Sequence, residues 1–190
     1  MEGKKHDYLG MTLDYSIKGN LKVDMKQYVK DVVESFPGNL SEKIDSPWNT
    51  RLFNINDESQ LLDKDKRETF HTFVIKCMFL AKRARPDTLV GITFLSRRVL
   101  RSNKEDWNKI VRIISHLKNT TGMVLCLEAD DVQEIKWYVN ASFGTHNDLK
   151  SHTGSIFTLG NGAIWNDSTK QKVNAKSSTV ADLILSMIRY

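Results

Sequence analysis

The sequence predicts an α+β fold, and three observations carry that prediction. An alternating apolar hairpin lies near the N-terminus. Segments in the middle repeat their apolar residues at spacings of three and four. After Trp137, strand-like runs separated by turn residues lead into one more helix. The expected order is therefore an N-terminal hairpin, a helical middle, and a three-stranded antiparallel sheet followed by the start of a helix.

A chain of 190 residues, 40% apolar and 27% charged, has the means to bury one full core or two small ones. The net charge is +5 and the pI near 9.1, a basic bias that fits a polyanion partner but also occurs in proteins that bind none. Cys77 and Cys126 sit in apolar runs at unrelated spacing, which predicts buried thiols in a reducing compartment. No apolar run approaches the ~18 residues of a membrane span, and Met1 to Lys5 is too short and polar for a signal peptide. The expected location is intracellular, cytoplasmic or nuclear, with no membrane partner.

In chain order, Leu9, Met11, Leu13 and Tyr15 alternate, Lys18-Gly19-Asn20 turns the chain, and Leu21 and Val23 return it. Asp24 with Gln27 offers a capping box. Met25, Tyr28, Val29, Val32, Val33 and Phe36 then follow helical spacing until Pro37-Gly38. Residues 39–62 read as a long polar connection that Trp48, Leu52 and Phe53 pin to a core. Asp63 caps a helix carrying Phe70, Phe73, Val74, Cys77, Ala81 and Ala84. Pro86 ends it and opens the next, with Leu89, Val90, Thr93, Leu95 and Val99. Ser102 and Glu105 form a further capping box before Trp107, Ile110, Val111, Ile114 and Leu117, and Gly122 stops that helix.

Met123–Leu127 reads as a strand, with a turn at Asp130-Asp131. Trp137, Val139 and Ala141 then alternate with Tyr138, Asn140 and Ser142. Ser155–Leu159 leads into a tight hairpin at Gly160-Asn161-Gly162, and a third strand follows at Ala163–Trp165. Ser177-Ser178-Thr179 supplies an N-cap for a helix with Val180, Ala181, Leu183, Ile184, Met187 and Ile188.

The stretch from Trp137 to Asp182, WYVNASFGTHNDLKSHTGSIFTLGNGAIWNDSTKQKVNAKSSTVAD, resembles the ribonuclease H region of copia-type LTR-retrotransposon Pol polyproteins. That pattern is close to W-x-V-D-A-S-F-x-x-H-x-D-x-K-S-H-T-G, then a Gly-rich hairpin, then K-Q-K-x-N-x-K-S-S-T-E-A-E. HDYLGMTLDYS through MKQYVKDVVESFP resembles the end of the palm and the beginning of the thumb in the same reverse transcriptases, where the hairpin helps hold the primer terminus. FLAKRARPD through DWNKIVRIISHLK resembles their thumb and connection helices. The resemblance implies three segments: 1–62, a palm-end hairpin, thumb helix and linker; 63–122, a helical thumb/connection segment; and 123–190, a truncated ribonuclease H-like domain.

The resemblance also locates the chemistry. The family's polymerase aspartates lie in a Tyr-x-Asp-Asp segment, which occurs nowhere in these 190 residues. Its ribonuclease H site joins four carboxylates around two divalent ions, one activating water and the other stabilising the leaving oxygen. Two of those positions fall here on Asn140 and Asp182, with Val180 replacing another Glu. The resemblance implies that the third and fourth carboxylates lie beyond Tyr190. Asn140 is neutral, and an attraction of about 4 kcal/mol per charge pair at ~4 Å is forfeited even at an effective dielectric near 20. The expectation is a degenerate fragment without polymerase or nuclease activity, needing no cofactor, although the intact family uses magnesium.

The alternative expectation is a non-catalytic binder of RNA–DNA hybrid or other nucleic acid. Between Lys82 and Lys118 ten basic residues face three acids, a net of +7. Lys82, Arg83, Arg85, Arg97, Arg98 and Arg101 are the candidate phosphate contacts, with a merely solvated face as the bland reading. His146, Asp148 and His152 have ligand chemistry but no fourth partner. No metal site is expected there; they read as hydrogen-bonding residues that shape a turn, with Asp148 able to pair with Lys150. Without a fourth strand beside it, the strand from Trp137 to Phe143 is expected to leave an unpaired edge unless Met123–Leu127 or another chain covers it.

Overall fold

Leu9 and Gly10 take left-handed φ values of 48° and 75°, which reverses the chain in two residues. They join β1 (Lys5–Tyr8) to β2 (Met11–Asp14), with Tyr8 opposite Met11. Leu9 is therefore an exposed turn tip and not a strand residue. β3 (Asn20–Asp24) returns beside β2 and sets Leu13 against Val23. In this computed structural model residues 3–129 and 135–187 are described; the expected turn at Asp130-Asp131 falls outside them.

α1 (Lys26–Ser35) buries Val29 and Val32, and Met25 and Phe36 flank it inside the core. Its expected capping box does not form. Asp24 instead accepts from the Lys26 amide at 2.7 Å, and Gln27 reaches forward to Asp31. The linker is pinned as expected, with Leu52 buried and Trp48 and Phe53 packed on the core.

α2 (Lys64–Ala81) starts at Asp63, whose side chain accepts from the Lys66 amide at 2.8 Å. Pro86 opens a 3-10 turn, Pro86–Thr88, that runs into α3 (Leu89–Ser96). α4 (Lys104–Asn119) uses a capping box one residue later than expected, with Asn103 and Asp106 in place of Ser102 and Glu105. Asn103 prevails because its amide also donates to the Asn56 carbonyl at 3.0 Å, tying the cap to the linker. At Gly91 a Cβ would stand 2.9 Å from Ile113 Cδ1, so the bare backbone lets α3 press onto α4.

β4 (Leu125–Ala129) pairs with β3, not with the strand that follows it, setting Leu21 against Leu127 and Val23 against Leu125. The expected hairpin through Gly160–Gly162 forms, since Phe157 faces Trp165 across it, but it is wider than a tight turn. Gly160–Asn161 forms a short strand, counted as β7 in chain order, against Glu128 and Ala129. Gly162, at φ 84°, passes so close to β4 that a Cβ would collide with the Cys126 carbonyl oxygen. The result is an antiparallel sheet ordered β1-β2-β3-β4-β7, which runs across the division at residue 122. Against it lies one continuous apolar core from Val23 through Leu117, drawn from α1 to α4 and the linker.

A second antiparallel sheet is ordered β5-β6-β8, from β5 (Lys136–Ser142), β6 (His152–Thr158) and β8 (Trp165–Lys170). β6 begins earlier than expected, and β8 occupies polar residues in place of Ala163–Trp165. Its interior is polar: Ser151, Thr153, Ser155, Ser168 and Gln171 are buried, whereas Trp137, Val139 and Trp165 are exposed. α5 (Ser178–Met187) starts where the Val180 amide meets Ser177 Oγ at 3.2 Å and packs on β5. Among the described residues no helix is long and apolar enough to cross a membrane.

Candidate functional site

The corner between β5 and α5 brings the two sequence-selected positions together. Asn140 lies exposed on β5. Asp182, on the second turn of α5, accepts a hydrogen bond from the amide of the next strand residue, Ala141, at 3.1 Å. That amide is not used by β6, so one carboxylate satisfies part of the β5 edge. β4 does not reach this edge, so β5 lies at the rim of its sheet, the unpaired edge expected where that strand does not cover it.

Gln171 holds the corner in place. Its Nε2 donates to the Ala181 carbonyl at 2.8 Å and to Thr153 Oγ1 at 3.1 Å, while its amide donates to the Ser151 carbonyl. A buried side-chain amide thus couples α5 to β6. No periodicity marks this role; only the K-Q-K string of the resemblance singled the residue out.

What the corner can do chemically follows from its charge. It carries the Asp182 carboxylate and, at Asn140, an amide that offers a weak oxygen donor without charge. Hard divalent ions are held by converging anionic oxygens. Among the described residues no group of three or more His, Cys, Asp or Glu side chains is placed to hold a metal ion.

His146, Asp148 and His152 are divided by the fold. His146 Nε2 lies 3.1 Å from His152 Nδ1, and His152 Nε2 lies 2.7 Å from Ser168 Oγ, in a buried chain. Phe53 of the linker packs on both imidazoles, and Phe94 of α3 stacks on His146. Burial, reinforced by the charges of Lys170 and Arg97, pushes His146 down to about 4. Burial, His146 and Arg97 do the same to His152. The pair is therefore neutral at pH 7 and ties the second sheet to the helical core. Asp148 turns away and pairs with Lys170 at 2.6 Å, not with Lys150. The Lys170 hydrogen bond lowers its carboxyl below the ordinary value.

Of the six candidate phosphate contacts, Arg85 is buried and fully engaged. It grips Asp87 through Nε at 2.9 Å and Nη2 at 2.7 Å, and donates to the carbonyl and hydroxyl of Thr120. It is corrected from a surface cation to an internal tie between the α2–α3 turn and the end of α4. Lys82 Nζ bonds the Asn166 carbonyl and Asp167, fastening α2 to β8. Arg83 lies over the Phe79 ring, and Arg98 pairs with buried Asp106 at 3.1 Å. Arg97 and Arg101 have exposed side chains. The basic run is thus largely a set of intramolecular ties.

No family model matches this chain, and no solved structure matches it. Among curated proteins it is similar to the "Retrovirus-related Pol polyprotein from transposon TNT 1-94" of Nicotiana tabacum, at 28% identity over 169 residues. The match takes in 86% of this chain and 13% of the length of that relative. A retrotransposon Pol polyprotein is the class this similarity supports.

Proposed function

We propose that this chain is a degenerate copia-type Pol segment that cleaves no RNA strand and adds no nucleotide. In this reading residues 1–62 correspond to the palm-end hairpin, thumb helix and linker, 63–122 to the thumb and connection helices, and 123–190 to a ribonuclease H-like unit. The observation that carries it is the β5–α5 corner. There Asn140 has no charge, and Asp182 spends one carboxylate oxygen on the Ala141 amide.

Two-metal hydrolysis needs several anionic oxygens, because each ion must be neutralised while water is deprotonated and the leaving oxygen takes up charge. One carboxylate beside a neutral amide supplies too little. Asp182 is also a methylene shorter than the Glu of the resembling pattern, and a displacement of ~1 Å at a reacting group can cost about a hundredfold in rate. Magnesium is accordingly no resident cofactor of this chain in the proposed reading. The alternative of non-catalytic hybrid binding draws support from Arg97 and Arg101 alone among the six candidates, because the other four are committed within the fold.

A hybrid-cleavage assay with the 190-residue protein in magnesium or manganese tests this reading. Product formation is expected to match the protein-free control. Turnover that disappears in Asp182→Ala would refute it.

A further inference from the structure

The rim of the first sheet is β1, and among the described residues no strand lies beyond it. Its pairing with β2 fixes which backbone groups it turns outward. Tyr8 faces Met11 across the Leu9-Gly10 turn, His6 faces Leu13, and the Tyr15 amide donates to the Lys4 carbonyl at 2.7 Å. Alternate residues of an antiparallel strand bond to the same neighbour, so Lys4, His6 and Tyr8 spend their backbone groups on β2. Lys5 and Asp7 therefore present theirs at the free edge. Such an edge is a template for another strand unless its side chains forbid it.

The side chains forbid some pairings and favour one. Opposite residues share a face, so Lys22, Asp14 and Lys5 form a row across β3, β2 and β1 that alternates in sign. The row ends at the rim in an exposed cation, whose ammonium lies 3.4 Å from Asp14. The next row on that face, Asp24, Thr12 and Asp7, ends in an anion. Thr12 Oγ1 takes Asp7 Oδ1 at 2.6 Å, which leaves Oδ2 for a partner. Each row thus ends in the charge that the other lacks.

A second copy brought up antiparallel about a two-fold axis can centre the pairing on Lys5, His6 or Asp7. Centring on Lys5 opposes lysine to lysine, and centring on Asp7 opposes aspartate to aspartate; like charges directly opposite are unfavourable. Centring on His6 sets Lys5 of each copy against Asp7 of the other. The outward amides and carbonyls of these two residues then meet in reciprocal hydrogen bonds on both sides of the axis. Charge therefore selects one register, and the partner that supplies it is the same strand.

We infer that the chain self-associates through β1, as a two-fold dimer centred on His6 in which Lys5 of each copy pairs with Asp7 of the other. The two sheets run on as one across the axis. A four-residue edge buries far less than the ~1,600 Å² of a standard interface, so the dimer is weak and forms at about 10–100 µM.

Sedimentation equilibrium of the 190-residue protein from about 5 to 200 µM tests this, in ~50 mM salt so that exposed charges are little screened. A reversible monomer–dimer equilibrium is expected. Lys5→Glu and Asp7→Lys each put like charges across the axis and are each expected to weaken it at least about tenfold. An equimolar mixture of the two variants restores association, because opposite charges meet again between the unlike chains. Lys30→Glu on α1 leaves the equilibrium unchanged. All three side chains are exposed, so the variants keep the fold. A monomer throughout the range, association unaffected by Lys5→Glu and Asp7→Lys, or a mixture no stronger than its parts would overturn the inference. None of these outcomes bears on the metal-poor corner, which shares no residue with β1.

Discussion

Arg85→Ala is expected to remove about 3–5 kcal/mol of folding stability, the cost of breaking a buried ion pair by deleting one partner. Arg85 is 1% exposed, and its guanidinium satisfies both Asp87 oxygens and both oxygens of Thr120 at the end of α4. His116 Nε2 also lies 3.0 Å from Asp87 Oδ2, so the carboxylate is the hub of the cluster. Burial alone would raise the Asp87 carboxyl. The Arg85 bonds and charge, with His116 adding, outweigh it and hold it below its ordinary value.

Deleting the arginine strands that carboxylate and leaves a cavity between the α2–α3 turn and α4. Urea unfolding at pH 7, followed by circular dichroism, measures the loss. A change under about 1 kcal/mol would mean that the cluster is relieved by water. The same variant distinguishes the two roles considered for Arg85, because a surface phosphate contact could be removed with almost no change in stability.

The second large effect is acid destabilisation through His146 and His152. The unfolded imidazoles take up protons near pH 6.5, whereas the folded ones wait until about 4. Between those values the unfolded chain binds more protons, so stability rises with pH and falls as pH is lowered from about 6.5 towards 4. The two imidazoles are in contact and titrate as a pair, so the loss between pH 7 and 4.5, on the order of 2 kcal/mol or more, belongs to the pair. His146→Gln/His152→Gln is expected to be less stable at pH 7 but to lose less on acidification. Urea midpoints at pH 7.0 and 4.5 for both proteins provide the comparison. An identical pH-dependent loss in the double variant would place the acid sensitivity elsewhere.

Much of the first half was legible from local rules. Asp63 caps α2 because an aspartate before an amphipathic run satisfies exposed amides. Trp48, Leu52 and Phe53 could be read as anchors because large apolar side chains in a polar linker have nowhere else to go. Leu9 misled because its alternation with Met11 reads as strand, while the Leu9-Gly10 pair turns with positive φ, a conformation leucine seldom takes. Both Ser102/Glu105 and Asn103/Asp106 fit the capping template. The choice between them was made by the Asn56 carbonyl 47 residues upstream.

The second sheet was less legible for a different reason. β8 reads Trp-Asn-Asp-Ser-Thr-Lys and carries no apolar alternation, because it faces an interior built from hydroxyls and imidazoles. Likewise, the short β7 strand exists only because β4 lies beside it. Charge counting could not separate Arg85 from Arg97, since burial is a tertiary property. The proximity of Asn140 and Asp182 came only from the family resemblance, because 42 residues separate them and neither stands out by itself.

Manganese binding followed by electron paramagnetic resonance tests the central claim most directly. The protein is expected to show no saturable pair of manganese ions up to millimolar metal, with spectra indistinguishable from those of Asp182→Asn. Two equivalents of bound manganese, both lost in Asp182→Asn, would contradict the account.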